Sequence, residues 1–99
     1  MYRDEGLLAL IRKLPCQVPG CGAAAPSEAM HNDELRHGKG RSLKADDSAS
    51  AAGCKACHYA IGHGATLSYD ERRELFNAAY VGTMSTLIKR GWLTVARDV

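Results

Sequence analysis

CKACHYAIGHG, residues 54–64, sets two cysteines two residues apart, a histidine directly after the second, and another histidine five residues further on. That spacing fits a redox dithiol, a haem attachment site, half of a zinc site or the edge of a metal-dependent active site. The rest of the chain decides between them.

With 99 residues, 6% of them aromatic, and a single Trp and a single Phe, the chain has little large apolar volume for a core. Domains this small are commonly held by a metal, by disulfides or by a partner. Its four cysteines could serve as two disulfides in an oxidising compartment or as one tetrahedral zinc site in a reducing one. The opening residues MYRDEGLLALIRKL are charged at Arg3, Asp4 and Glu5, and their apolar run is broken by Arg12 and Lys13, unlike a secretory signal. No segment is long enough to span a bilayer. The expectation is a cytoplasmic chain with no membrane partner, whose cysteines bind metal. A net charge of +2 is too small to mark a nucleic-acid binder by bulk electrostatics, so local clustering matters more.

Leu7, Leu8, Leu10, Ile11 and Leu14 recur at helical spacing from Asp4 to Leu14, and Pro15 ends that helix. In CQVPGCG, Cys16 and Cys21 flank a Pro19-Gly20 turn. Residues 22–53 show almost no hydrophobic periodicity; SEAMHND suits a short strand and RHGKGRSLKADD a loop. Lys55 to Ile61 suits a short helix closed by Gly62. Ser68 and Glu71 form a capping-box pattern that opens a long helix to Arg90. Its apolar stripe is Phe76, Tyr80, Met84 and Leu87, with Leu75, Ala79 and Ile88 alongside. Gly91 suits the left-handed C-cap, and Trp92 to Val95 suit a last short strand. The chain reads as one domain, 1–99.

Cys16-x4-Cys21 and Cys54-x2-Cys57 are two pairs, each close enough for both thiolates to reach one ion, and four soft ligands suit zinc. A thiol pair on a turn followed by a pair at a helix start fits a treble-clef zinc domain. A redox pair would want a βαβ setting, and haem attachment leaves Cys16 and Cys21 without a task. Structural zinc on Cys16, Cys21, Cys54 and Cys57 is therefore the expectation.

His31, His37, His58 and His63 remain. With neighbouring acids they could build a second, open metal site, where a cation polarises a phosphate and a neutral imidazole deprotonates water. Arg36, Lys39, Arg41 and Lys44 crowd around Gly38 and Gly40 as phosphate contacts would, although Asp33, Glu34, Asp46 and Asp47 flank them. An exposed histidine is more often a surface residue than a catalyst, which is the reading for His63, alongside helix capping. For His37 the two readings balance, and His31 and His58 read as functional.

Taken in order, LPCQVPGCG, AMHNDELRHGKG, LKADD and GCKACHYAIGHG resemble the small phage and prophage HNH-type nucleases related to phage recombination-enhancement nucleases. The resemblance covers the N-terminal helix to about residue 64 and, more loosely, the C-terminal helix and GWL. It implies an α+β, ββα-metal core around a zinc knuckle, with His31 as general base and His58 as ligand of a catalytic Mg2+ or Mn2+ ion. His37 would be a secondary metal or phosphate contact, and Lys39 and Lys44 would hold the nucleic-acid backbone. Where the family pattern has an acidic ligand before the base, this chain has Met30; the middle Asn before CxxCH is absent. Asn32, Asp46 and Asp47 are the candidate replacements, as is His63 for the acid expected near the helix end.

The function implied is an endonuclease that hydrolyses DNA phosphodiesters with little sequence preference, acting in the bacterial host cytoplasm. Its partners would be DNA, a phage recombination or replication protein, and a second copy through the long C-terminal helix. The alternative is a non-catalytic zinc module that binds nucleic acid or such a protein.

Overall fold

The computed structural model describes residues 3–31, 47–63, 66–94 and 96. They form a small α+β structure of three helices and a two-stranded antiparallel sheet. Helix α1 spans Glu5–Arg12. Its N-cap is Asp4, whose carboxylate accepts from the Leu7 amide at 3.1 Å and so satisfies one of the unpaired donors of the first turn. Leu8 and Ile11 face inward, as the sequence periodicity requires, and Leu14 is fully buried just beyond the helix.

Strand β1 is Glu28–His31 and β2 is Ser50–Gly53, in the register Glu28 to Gly53, Ala29 to Ala52, Met30 to Ala51 and His31 to Ser50. β1 falls where the sequence suggested a strand. β2 went unrecognised because SAAG carries no apolar alternation; all four of its residues are buried, and their small size lets helices close in on both faces. Gly53 shows this most sharply, since a Cβ there would lie within 3 Å of the Met30 Sδ and Cε. A short 3₁₀ turn, Asp47–Ala49, leads into β2.

Successive side chains of a strand point to opposite faces, and the hairpin accordingly divides the core in two. Met30 and Ala51 pack with Cys16, Val18, Ile61, Phe76 and Ala79 on one face. Ala52 packs with Leu8, Ile11, Leu14 and Leu87 on the other, joined by half-buried Ala29. Helix α2, Lys55–His63, covers the first face, and α1 the second. α2 runs through Gly62 to His63, one turn's fraction past the expected stop. The Arg72 guanidinium explains the extension: it donates to the Ile61 carbonyl at 2.9 Å and so caps the helix end from outside.

Helix α3, Tyr69–Lys89, spans both clusters and opens with the anticipated capping box: Ser68 Oγ accepts from the Glu71 amide and Glu71 accepts from the Ser68 amide. Its buried stripe is Phe76, Ala79, Thr83 and Leu87. Tyr80 and Met84 are half-buried beside it, while Ile88 is exposed. Thr83, polar and absent from the apolar pattern, is fully buried because its Oγ1 accepts from the Ala52 amide at 2.9 Å and donates to the Ala79 carbonyl at 2.7 Å. The last strand expected from the sequence does not form in its described part. Gly91, at φ 75°, turns the chain back, and the Trp92 and Leu93 amides both donate to the Leu87 carbonyl.

Candidate metal centre and the histidine pairs

The four cysteines, one on each side of the Pro19-Gly20 turn and two at the start of α2, converge. Their Sγ atoms all lie within 4.8 Å of one another. Four sulfurs about 2.3 Å from a central zinc sit about 3.8 Å apart at the edges of a tetrahedron. The Cys21 and Cys54 Sγ atoms are 3.8 Å apart. Local geometry prepares the cluster: the Cys16 amide donates to the Ala23 carbonyl and the Cys21 amide to the Val18 carbonyl, closing the turn.

Charge is distributed unevenly among the thiols. The Cys57 amide donates to the Cys54 Sγ at 3.4 Å and lowers that thiol to about 7. Burial pushes Cys57 and Cys16 upward. Crowded thiols resist joint ionisation, and a central dication removes the conflict by drawing all four to the thiolate form. The donor set and its spacing therefore fit structural zinc, the metal expected from the cysteine spacing.

The hairpin separates the two histidines of interest. His31, on the Ala29 side, places Nε2 3.0 Å from the Asp47 Oδ1. Asp47 is almost completely buried. Its carboxylate also accepts from the Arg3 Nη1 at 3.1 Å and from the Asp4 amide at 2.6 Å. The Asp4 amide, then the His31 contact and the Arg3 guanidinium, lower its pKa from 3.8 to about 2 against the opposing effect of burial. An ionised Asp47 only accepts, so the His31 Nε2 donates, and in a neutral ring Nδ1 then carries the lone pair.

His58 lies on the opposite, Met30 side, where its Nδ1 is 2.7 Å from the Glu28 Oε1. Glu28, Lys55, His58, Tyr59 and His63 line a cleft of about 270 Å³, with the Tyr59 and His63 rings 5.4 Å apart. Among the described residues, the four thiols are the only group of three or more His, Cys, Asp or Glu within reach of one ion. Arg36, His37, Lys39, Arg41, Lys44, Asn32 and Asp46 lie outside the described residues.

Sequence reasoning missed Glu28 and Arg3. Glu28 was legible only through strand alternation, sharing the Met30 face; Arg3 reaches Asp47 across 44 positions of sequence and left no local signal. No family model, curated protein or solved structure matches this chain. No helix among the described residues is long and apolar enough to cross a membrane.

Proposed function

We propose that this chain is a metal-dependent endonuclease of the small HNH type, a treble-clef zinc domain in which His31 is the general base. One observation carries it: a histidine at the end of the first hairpin strand is held through Nε2 by a buried, ionised aspartate, in a hairpin that runs directly into the thiol-bearing helix. A neutral imidazole so held presents a defined tautomer, the arrangement that suits a base at neutral pH.

In this reading Nδ1 of His31 takes a proton from water, the water oxygen attacks phosphorus, and the P–O3′ bond breaks with the leaving oxygen protonated from solvent. Asp47 steadies the imidazolium that forms, and Arg3 keeps Asp47 in place. A divalent ion, where bound, would stabilise the charge on the phosphate; the ligand expected from the sequence, His58, is paired with Glu28 on the opposite face of the hairpin from His31. The substrate is DNA, and a phage recombination or replication protein is the candidate macromolecular partner. A second copy could join through the α3 face that exposes Val81 and Ile88.

The placement of His31 and His58 on opposite faces supports a second reading, a non-catalytic zinc module that binds nucleic acid or a partner protein. Cleavage of supercoiled plasmid and of single-stranded DNA by the zinc-loaded protein, with added magnesium or manganese, separates the two. The nuclease reading expects cutting that His31→Ala abolishes and that stops when magnesium or manganese is withheld. Equal cutting by wild type and His31→Ala would refute His31 as the base, and cutting by neither, with DNA retained on a gel, leaves the binding module.

A further inference from the structure

The C-terminal ends of α1 and α3 meet around the chain's single tryptophan. The Lys13 Nζ stands over the Trp92 ring at 6.0 Å from its centroid and the Arg90 Cζ at 5.0 Å. Trp92 is 38% exposed, yet its position is fixed: its amide donates to the Leu87 carbonyl, and the neighbouring Leu93 packs against the core. Arg12 and Lys89, next to Lys13 and Arg90 in sequence, are exposed as well. The ion pairs found among the described residues, Arg3 with Asp47, His31 with Asp47 and His58 with Glu28, involve none of these four cations.

Cations at helix C-termini complement the helix dipole, which accounts for one at each end. It does not account for two from different helices meeting over one exposed indole. Each lies within cation–π range of the ring, both side chains stay exposed, and among the described residues neither is in an ion pair. A ligand that replaces those contacts must offer a flat π-surface to the ring and negative charge to the ammonium and guanidinium. An unpaired nucleotide offers both on one unit, with base stacking tolerant of sequence. A base inside a duplex keeps its face covered by its neighbours, and an anionic membrane surface would want a wider apolar fringe than one indole.

We propose that Lys13, Arg90 and Trp92 form a stacking site for single-stranded nucleic acid, at the far end of α1 from the His31–Asp47 pair. The site stands on different residues from the nuclease reading and holds or fails separately from it.

Trp92 reports its own occupancy. The zinc-loaded protein is titrated with a deoxythymidine oligonucleotide, without added magnesium, while indole emission is followed. Saturable quenching is expected, with affinity falling about sevenfold to fiftyfold between roughly 50 and 200 mM salt, the span for two to four phosphate contacts on a single strand. Dye-labelled oligonucleotide anisotropy then compares variants that keep the zinc content and circular dichroism of wild type. Lys13→Ala with Arg90→Ala should weaken binding about tenfold and lower the salt slope by about 1.4. Trp92→Phe, which retains a smaller ring, should fall between wild type and that double variant. Three outcomes overturn the proposal: binding by anisotropy with no change in indole emission, equal quenching by a duplex of the same length, or no binding at the lower salt. Blue-shifted emission with phosphatidylserine vesicles but none with the oligonucleotide would also overturn it, in favour of a membrane surface.

Discussion

Thr83→Val removes one hydroxyl from a site with no exposure and keeps the shape of the side chain. The hydroxyl is the acceptor for the Ala52 amide, which points away from β1 toward α3. Beside it, the Ala52 carbonyl accepts from the Gln17 amide at 3.0 Å, so the free edge of β2 is sealed by one side chain and one loop amide. Valine leaves the Ala52 N–H buried and unpaired, a penalty of about 1–3 kcal/mol. The Ala79 carbonyl loses far less, because it is also an acceptor within the helix. For a domain of this size each kcal/mol moves Tm by about 4–8 °C, so the expected fall is about 4–24 °C. Thr83→Ser is the control: it keeps the hydroxyl and deletes one buried methyl, about 1 kcal/mol. Thermal and urea unfolding of the zinc-loaded proteins should rank wild type above Ser and Ser above Val. Hydrogen exchange at the Ala52 amide should accelerate in Val alone. Since β2 delivers Cys54 two residues later, Val should also release zinc faster to a chromogenic chelator. A valine variant as stable as the serine variant would refute the sealing role of this hydroxyl.

Cys54→Ser, or exhaustive chelation of the wild type, should abolish the cooperative melt and near-native circular dichroism, because zinc binding in small domains is folding energy; a melt close to wild type after verified metal loss would sink the zinc assignment. Asp47 is lowered from 3.8 to about 2. The stability it contributes is therefore complete above about pH 4 and is lost as pH falls through about 2. Asp47→Asn should accordingly lie closest to wild type at the acid end and diverge from it as pH rises toward neutrality, as urea melts across that range would show. Gly53→Ala forces a Cβ against the buried Met30 side chain and should destabilise by about 1–3 kcal/mol. Pairing it with Met30→Ala should recover part of that loss, and a strictly additive double mutant would contradict the contact. In the cleavage assay, Asp47→Asn should slow cutting at least tenfold with substrate affinity unchanged, if His31 acts as base through this pair; unchanged cutting would separate Asp47 from the chemistry.

The sequence was most legible where local rules act alone. Ser68 and Glu71 announce the start of α3, Gly91 its end, and the leucines of α1 its buried side, because capping and periodicity need no distant partner. The thiol cluster was legible for the same reason: each pair is local, and four soft donors in a small chain have one economical use. β2 was not legible, since its alanines and glycine owe their burial to α1, α2 and α3 closing from two sides. Thr83 reads as an interruption of an apolar stripe until the Ala52 amide is seen to need an acceptor. The roles of Asp47 and Glu28 were equally hidden, because a histidine's partner is chosen by the strand face it occupies and not by its neighbours in sequence.

That dependence on strand face carries the central consequence for function. Residues 28 to 31 alternate, so Glu28 is committed to the α2 side once Met30 is buried there, and His31 to the α1 side. A one-residue shift of β1 against β2 would exchange the faces, carrying His31 toward α2 and Met30 into the space beside Asp47. Two features oppose the shift. The Ser27 hydroxyl donates to the Leu14 carbonyl at 2.7 Å, and the Ser27 amide donates to the Arg12 carbonyl, tying the start of β1 to the end of α1. At the other end, His31 is bound to Asp47, itself bound to the Asp4 amide at the start of α1. Helix α1 thus clasps β1 at both ends, and the thiol cluster fixes β2 through Cys54. The register that decides which residues His31 and His58 meet is set by α1 and the thiol cluster together, so loss of either should disperse both histidine pairs.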